Sequence, residues 1–457
     1  MEGVSEFFIS EVSIVIHAMT GFFVRLVRRY LPQPFTFAVL LSVIVYLMGM
    51  FVMGKSAHEM NQFWGKGFFS LYVFTMQMVL VLVTGHALAN SPFVKSVLKG
   101  LASIPRTPRQ SVFFVALVAC LASYLNWAFG LIVGALIAKQ VAANNSGKGL
   151  HYPIIVAAAY GGNVIRGPSS SIPLVIATPG HFLEKTIGII PVTESLYSEW
   201  NLIITGILIV AIPLIFVLMY PRKDDEMPIL EIDPAILLAE GAEEKKEVAD
   251  TPAKKMDHSL VLTGLLVLAG GWMLYDYFSK QPSFNLNLNI LIMLFMILGL
   301  IAHKTLAGYM TAINNAVKTS GGIILQFPFY AGMMGMMRDS GLAKWMSDIF
   351  VNIATADTLP LFTFWSAGIV NIFVPSGGGQ WAVQGPIMMQ AANEIGASSA
   401  KVAMALAWGD SWTNQIQPFW ALPLLAIANL GVRDIMGYCL MTAILVGFVC
   451  SIGFIIL

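Results

Sequence analysis

The amino-acid sequence predicts an all-α, polytopic membrane protein with two inverted repeats, each containing a re-entrant helical hairpin and an unwound transmembrane helix. The membrane class follows from composition: of 457 residues, 57% are hydrophobic and 11% are charged, and the mean hydropathy is +0.75. Soluble domains carry about 25% charged residues, and a globular core cannot bury so much apolar surface. The repeats follow from polar motifs that recur about 248 positions apart within apolar segments.

Composition also excludes several classes of protein. The sequence contains no zinc, P-loop, dinucleotide or nucleic-acid motif, so we expect no cofactor and no nucleic-acid partner. Cys120, Cys439 and Cys450 lie in apolar runs and are typical of small core residues. The first residues are acidic where a signal peptide would be basic, so no cleaved signal is expected.

The chain divides into four parts. Residues 1–34 are predicted to form a helix that spans the membrane or lies at its interface, because its basic end and polar interruptions suit an interfacial position. Residues 35–220 form the first repeat and 258–457 the second. Between them, residues 221–257 hold 17 of the 51 charged residues and are predicted to be a solvated linker.

Within the repeats, the candidate spans are apolar stretches of about 20 residues. They are 35–53, 67–90, 200–220, 258–279, 286–303, 319–337 and 434–456. Lys and Arg are denser on the side that holds the N-terminal region and the linker, so both are predicted to be cytoplasmic.

The repeat rests on four matched pairs of segments that occur in the same order. They are NSPFVKSVLKG (90–100) with DSGLAKWMSDI (339–349), SYLNWAFG (123–130) with GIVNIFVP (368–375), AAAYGGNVIR (157–166) with ALAWGDSWTN (405–414), and SIPLVIA (171–177) with ALPLLAI (421–427). The predicted number of crossings from 35–53 to its partner 286–303 is odd, so the repeats point in opposite directions. Inverted repeats are typical of secondary transporters, whose sites lie near the bilayer midplane.

Two segments, 110–142 and 359–396, are predicted to be hairpins that enter the membrane and return to the same side. Their arms of about 15 residues are too short for a full crossing. Asn126 lies at the first tip, and the glycine run 377–379 at the second is a poor helix former, so we expect open backbone there. The alternative is a tight turn between two full spans.

Two further segments, 153–178 and 399–429, are predicted to be interrupted helices. The first is polar from Gly161 to Ser171 and the second from Gly409 to Gln417. Interrupted helices expose N-termini that favour anions, and carbonyl oxygens that favour Na⁺ or protons.

Arg166 and Asp410 are the two charges at these interruptions. A charge within an apolar helix costs roughly 3 kcal/mol, which marks both as functional candidates. Arg166 either binds a substrate carboxylate, which its planar fork suits, or pairs with an acid of the protein. Asp410 either carries a proton or binds a cation, or is a structural partner. Because Asp410 aligns with Gly162, and Arg166 with Asn414, one repeat supplies the acid and the other the base, so inversion would bring the two together.

Asn126 and Asn371 align between the repeats and either bind an ion or substrate or cap helix ends. The predicted substrate-binding residues are Asn126, Gly162, Asn163, Arg166, Ser169, Ser170, Asn371, Ser376, Gly377, Gly378, Gly379, Thr413, Asn414 and Gln417. The predicted ion-coupling residues are Asp410, Ser411, Asn126 and Asn371, with Na⁺ at the hairpin tips as an expected metal site.

Several long motifs resemble the short-chain fatty acid transporter family of bacterial inner-membrane permeases. They are MQMVLVLVTGHALANS (76–91), NWAFGLIVGA (126–135), FVPSGGGQWAVQGP (373–386) and QPFWALPLLAIANLGVRDIMGY (417–438). The resemblance covers nearly the whole chain. It implies two inverted repeats, two re-entrant hairpins, two unwound helices, a homodimer and an elevator-type motion. It also implies uptake of small monocarboxylates such as butyrate or acetoacetate.

The sequence therefore predicts a secondary active transporter, not an enzyme, for a small organic anion coupled to H⁺ or Na⁺. A dicarboxylate or amino-acid carrier of the same fold is the first alternative, but a dicarboxylate site should have two cationic clusters, and one intramembrane arginine is visible. A non-transporting membrane sensor would not need two matched polar interruptions. An intramembrane enzyme would need paired acids or a histidine-rich motif, which the sequence lacks.

Overall fold

The computed structural model of the chain describes residues 2–181, 183–221, 230, 251–280, 288–318, 320–375 and 377–457. Within these ranges the regular elements are α-helices and one 3-10 turn, and no strand is present. The predicted all-α class is confirmed. Of the predicted linker 221–257, residues 222–229 and 231–250 lie outside the described ranges.

The first part of the chain contains eleven helices among its described residues. They are α1 (Glu2–Tyr30), α2 (Pro34–Phe51), α3 (Ala57–Phe68), α4 (Tyr72–Ala89), α5 (Pro92–Ala102), α6 (Pro108–Leu125), α7 (Trp127–Asn144), α8 (Tyr152–Gly161), α9 (Ser171–Ile176), α10 (Glu184–Ile187) and α11 (Glu199–Leu218), and the 3-10 turn Gly162–Val164 follows α8.

The second part contains eleven more among the residues described there. They are α12 (Pro252–Asp257), α13 (Leu260–Lys280), α14 (Leu288–His303), α15 (Leu306–Val317), α16 (Gly321–Asp339), α17 (Leu342–Val351), α18 (Leu359–Phe373), α19 (Gly377–Ile395), α20 (Ser399–Asn414), α21 (Pro418–Ala428) and α22 (Val432–Ile456).

Several helices begin where a polar side chain accepts the free N–H groups of the first turn. Thr107 and Gln110 form a capping box at the start of α6, and Pro108 takes its first position. Ser398 caps α20 in the same way. Such caps contribute about 1 kcal/mol each, so short polar stretches between apolar runs determine where these helices start.

Six of the described helical segments are long and apolar enough to cross a membrane. They are α2, α6, α7, α11, Pro252–Lys280 (α12 with α13) and α22. A seventh would combine Thr75–Leu88 of α4 with Pro92–Ala102 of α5, which are bent by 70° at their junction. The chain is therefore a multi-pass membrane protein.

The prediction that the hairpin arms are too short to cross is wrong for the first hairpin. Helices α6 and α7 have 18 residues each, because the capping box starts α6 early and α7 continues to Asn144, and both qualify as spans by length and composition. In the second hairpin α18 has 15 residues and α19 has 19. The re-entrant path of both hairpins stays a prediction.

The packing of the helices forms two groups. In one, α2 and α3 pack against α16, and α4 packs against α14 and α15. In the other, α6 packs against α7, α8 and α11, α18 packs against α20, and α22 packs against α1, α8 and α11. Helix α21 contacts both α7 and α16, so it lies where the groups meet.

The same order of elements occurs twice. The hairpin α6–α7 is followed by α8, the 3-10 turn and α9, and the hairpin α18–α19 is followed by α20 and α21. The inverted relation between these two sets stays a prediction. The two interrupted helices contact each other, because α20 packs against the 3-10 turn and α9.

Candidate functional site

A buried ion pair joins the two interrupted helices. Arg166 Nη2 donates to Asp410 Oδ2 at 2.8 Å, and the two side chains are only 12% and 7% exposed. The contact is single among the described residues, because Arg166 Nε and Asp410 Oδ1 are buried and have no hydrogen-bond partner there. Both charged groups therefore retain bonding capacity that the described part of the chain does not use, although a buried charge normally requires full satisfaction.

Glycines bring these two residues together. Gly162 lies against α6, where a Cβ would be 2.6 Å from the backbone nitrogen of Cys120, so only glycine fits between α6 and the turn that leads to Arg166. On the other side, a Cβ on Gly409 would collide with the carbonyl oxygen of Phe364 in α18. Gly162 thus precedes Arg166, and Gly409 precedes Asp410. Each of these glycines packs closely against the first helix of a hairpin, α6 or α18.

The first interruption holds the tip of the first hairpin. Asn163 Nδ2 donates to the carbonyl oxygen of Trp127 at 3.1 Å, and the Trp127 N–H donates to Ser169 Oγ at 3.2 Å. Asn126 is the residue between α6 and α7, and its Oδ1 accepts from the N–H groups of Ala128 and Phe129 at 2.9 and 3.0 Å. Asn126 therefore caps α7, and its predicted contact with an ion or substrate stays a prediction.

The second interruption is held by Asn371 at the end of α18. Its Nδ2 lies 2.7 Å from the carbonyl oxygen of Asp410, 3.0 Å from Thr413 Oγ1 and 2.7 Å from Asn414 Oδ1. Gln417 Nε2 donates to the carbonyl oxygen of Ile372 at 3.2 Å. Both hairpins are therefore tied to the neighbouring interrupted helix by side-chain amides.

The two interruptions also touch each other directly. Tyr160 Oη at the end of α8 donates to the carbonyl oxygen of Asn414 at the end of α20, at 2.5 Å. Tyr160 was missed by the sequence analysis because a tyrosine in an apolar run is typical of packing. The sequence signal that could have identified it is its position directly before two glycines, because a buried tyrosine hydroxyl at such a point needs a hydrogen-bond partner.

The start of α19 lies beside the ion pair. A Cβ built on Gly377 would be 2.9 Å from Ser171 Oγ and 3.3 Å from Asp410 Oδ2. The carboxylate of Asp410 is therefore close to the N-terminus of a 19-residue helix, where the free N–H groups stabilise negative charge. Ser171 is exposed, so the site is open to the surroundings at this point. Ser171 was also missed by the sequence analysis, because a serine at the end of a polar run is not distinctive.

Two predicted details are wrong, one at the second hairpin tip and one at the second interruption. The glycines 377–379 do not form open backbone but the first turn of α19, where the N–H groups have no helical partner in any case. The second interruption is shorter than Gly409–Gln417, because α20 continues to Asn414 and α21 starts at Pro418. Asp410 thus lies within a helix.

The other predicted residues take varied positions. Ser170 is buried and its N–H bonds to Gly167, Ser411 Oγ donates to the carbonyl oxygen of Trp408, and a Cβ on Gly378 would contact nothing within 4 Å. Ser376 lies outside the described residues. Within the part of the chain that the structure describes, no group of three or more His, Cys, Asp or Glu side chains could hold a metal ion.

Comparison with known proteins gives consistent results. The family model described as short chain fatty acid transporter matches residues 15–457. A protein of Escherichia coli (strain K12) is 43% identical over 442 residues, which cover 96% of this chain and 99% of the relative. A protein of Haemophilus influenzae (strain ATCC 51907 / DSM 11121 / KW20 / Rd) is 41% identical over 441 residues, covering 94% and 97%. Both carry the provisional name of short-chain fatty acid transporter.

Among solved structures, the crystal structure of the Alcanivorax borkumensis YdaH transporter is similar with a TM-score of 0.44 and 15% sequence identity, over 92% of this chain and 97% of that one.

Proposed function

Because this chain belongs to the short chain fatty acid transporter family, and is thus a membrane transporter and not an enzyme, we propose that it is a secondary active transporter of short-chain monocarboxylates such as butyrate or acetoacetate. Substrate would bind where the two interrupted helices meet the hairpin ends, and a cation gradient would drive it.

The observation that carries this proposal is the buried guanidinium of Arg166 with an unused donor. An arginine fork binds a carboxylate through two parallel hydrogen bonds. In the described structure only one nitrogen of Arg166 bonds to Asp410, and Nε has no acceptor. A substrate carboxylate would supply the acceptors that complete the fork.

The proposed number of substrate carboxylates is one. Arg166 is the single arginine among the described residues whose side chain is not exposed. Lys139 is a second buried cation, but it lies twelve residues along α7 from Trp127, or about 18 Å at 1.5 Å per residue. Because Asn163 ties Trp127 to the turn that precedes Arg166, this separation along α7 supports a site with one cation for one substrate carboxylate.

The residues proposed to surround the substrate are those of the sequence prediction that lie at this junction. They are Gly162, Asn163, Arg166, Ser169, Asn371, Gly377, Thr413, Asn414 and Gln417, with Asn126 as a cap that shapes the first tip. Asp410 is the proposed residue for the coupling cation. The amide of Asn371 supports this, because it bonds to the backbone carbonyl of Asp410 and so fixes the position of that residue in α20.

The proposed motion and placement follow the resemblance. The group with α6–α8 and α18–α22 would move against the group with α2–α4 and α14–α16 in an elevator-type cycle. The packing of α2 and α3 on α16, and of α18 on α20, supports that division, and α4 contacts α7 across it. We further propose a homodimer in the bacterial inner membrane, with the N-terminal region and the 221–257 linker in the cytoplasm. The density of Lys and Arg on that side supports this orientation.

Uptake by purified protein in liposomes tests the function. Labelled butyrate, acetoacetate and succinate would be offered under separate H⁺ and Na⁺ gradients, with protein-free liposomes as the control for passive entry of the neutral acids. We expect protein-dependent uptake of butyrate or acetoacetate that unlabelled butyrate suppresses. Uptake of succinate without butyrate would refute the proposal and favour a dicarboxylate carrier of the same fold.

A further inference from the structure

We infer that Asp410 occupies the place of the substrate carboxylate in the empty transporter, and that one proton on Asp410 releases Arg166 for each monocarboxylate carried. This inference rests on the proposed function and names how that site is regulated.

The first step is the balance of charge at the site. Arg166 and Asp410 neutralise each other at 2.8 Å, and both are almost completely buried. A monocarboxylate that entered this site would leave one uncompensated negative charge in a poorly solvated environment, which is strongly unfavourable. One positive charge must therefore enter with each substrate, or Asp410 must leave.

The positive charge could come from a group of the protein near Asp410 or from the solution. Arg166 is the one charged side chain of the described residues that bonds to Asp410. Of the elements packed against α20, the helices α9, α18 and α21 and the 3-10 turn contain no titratable side chain. The remaining titratable groups of α19, α20 and α22 are Glu394, Lys401, Arg433, Asp434, Tyr438, Cys439 and Cys450.

These groups do not neutralise Asp410. Glu394, Asp434, Tyr438 and the two cysteines cannot carry a positive charge. Of the two cations, Lys401 lies nine residues, or about 13 Å, from Asp410 along α20. Arg433 is exposed and donates to the carbonyl oxygen of Leu31 at 2.6 Å. The charge must therefore come from outside the protein. Asp410 Oδ1 has no hydrogen-bond partner among the described groups, so it has a free position for a proton.

The third step is the exchange itself. A proton from the solution binds a carboxylate oxygen of Asp410 and removes its charge, so the ion pair with Arg166 loses its attraction. The substrate carboxylate then takes the place of Asp410 on the guanidinium, and the site is neutral again. On the other side of the membrane the substrate leaves, Asp410 gives up the proton, and the pair reforms. The cycle carries one proton and one monocarboxylate and moves no net charge.

This scheme predicts a specific failure when Asp410 cannot ionise. In Asp410→Asn the empty site would hold an unpaired Arg166 charge, which could not cross the membrane, whereas the substrate-loaded site would be neutral and mobile. The variant should exchange internal unlabelled butyrate for external labelled butyrate but should not accumulate butyrate under a pH gradient. Asp348→Asn, which removes an exposed acid paired with Lys344 at 2.9 Å, is the matched control and should do both.

Calorimetry of butyrate binding counts the proton directly. Purified protein is titrated near pH 7 in two buffers with different ionisation enthalpies, and the difference in heat gives the protons taken up per butyrate. We expect about one for the wild type and about zero for Asp410→Asn, and the wild-type affinity should weaken by up to about tenfold per pH unit above neutrality. The affinity of the variant should not change with pH.

The outcomes separate the two proposals. Butyrate binding by the wild type without proton uptake, or with an affinity set by Na⁺ instead of pH, would overturn this inference and leave the proposed function standing. Failure of both butyrate and acetoacetate to bind would refute the proposed function, and this inference with it. The wild-type count does not depend on whether the variant folds.

Discussion

The hydroxyl of Tyr160 donates to the carbonyl oxygen of Asn414, although the two residues are 254 positions apart in the chain. Each residue ends the first half of an interrupted helix, so this hydrogen bond fixes the distance between the two interruptions. Carbonyl groups at the end of a helix have no partner within the helix. Tyr160 therefore gives this buried carbonyl a close donor in addition to the Gln417 N–H at 3.4 Å, about one helical turn beyond Asp410 in α20.

Removal of this hydroxyl should destabilise the protein. Tyr160→Phe keeps the ring but removes the closer of the two donors to the Asn414 carbonyl and leaves the longer bond from the Gln417 N–H, which should cost about 0.5–1.5 kcal/mol. We expect a lower melting temperature of the detergent-solubilised protein. Tyr275→Phe, on the exposed face of α13, is the matched control and should melt like the wild type. Equal melting of both variants would show that the Gln417 N–H alone satisfies the Asn414 carbonyl.

A methyl group on Gly377 should impair transport, whereas one on Gly378 should not. The new Cβ at Gly377 would meet Ser171 Oγ at 2.9 Å, which forces a shift, and Asp410 Oδ2 at 3.3 Å, which is a tight contact, but at Gly378 it would meet nothing within 4 Å. We expect Gly377→Ala to lose at least about tenfold in the initial rate of butyrate uptake, and Gly378→Ala to retain the wild-type rate.

The double variant Gly377→Ala with Ser171→Ala tests the cause, because it removes the closer of the two contacts. We expect it to recover part of the lost rate. If Gly378→Ala is as impaired as Gly377→Ala, the defect comes from the helix propensity of the first turn and not from contact with the ion pair.

The position of Asn126 predicts a stability effect and not an ion effect. Its Oδ1 caps α7 through the N–H groups of Ala128 and Phe129. Asn126→Ser retains an oxygen at the cap and should remain near wild-type stability, whereas Asn126→Ala should lose about 0.5–2 kcal/mol. Thermal unfolding of the two variants checks this. A large change in the Na⁺ dependence of uptake in Asn126→Ser would instead support a role as ion ligand.

The fold was largely predictable from the sequence, because membrane helices depend on local composition. An apolar run long enough to span, or a glycine or charge within such a run, is visible in a short stretch of residues. Arg166 and Asp410 were recognisable for the same reason, since each is a local anomaly. The repeat alignment then placed one charge in each half, which is how a direct contact between them could be anticipated.

The remaining features depend on packing between distant segments. Ser171 and Tyr160 are ordinary residues by local pattern, and only the contact between the two interrupted helices makes them part of the site. The opposite error occurred at glycines 377–379, where a local rule predicted open backbone. The rule applies to the interior of a helix, and these glycines form its first turn.

The role of Arg166 is best tested by changing the shape of the cation while keeping its charge. Arg166→Lys can still pair with Asp410, so the protein should fold, but an ammonium group cannot form the two parallel hydrogen bonds of a guanidinium. We expect butyrate affinity to fall at least about tenfold, which is about 1.4 kcal/mol, with a small change in melting temperature. Arg338→Lys, an exposed arginine that pairs with Asp339, is the control.

Neutral replacements separate binding from stability at the same position. Arg166→Gln leaves Asp410 buried and unpaired, which should cost about 3–5 kcal/mol. Adding Asp410→Asn removes the unpaired charge, so the double variant should recover much of the stability but bind no butyrate. Butyrate affinity and melting temperature, measured on the same preparations, therefore distinguish the two roles of Arg166. If Arg166 binds the carboxylate, the double variant regains stability but not binding, whereas a purely structural arginine would allow both to return. Unchanged butyrate affinity in Arg166→Gln would contradict the proposal that Arg166 binds the substrate carboxylate.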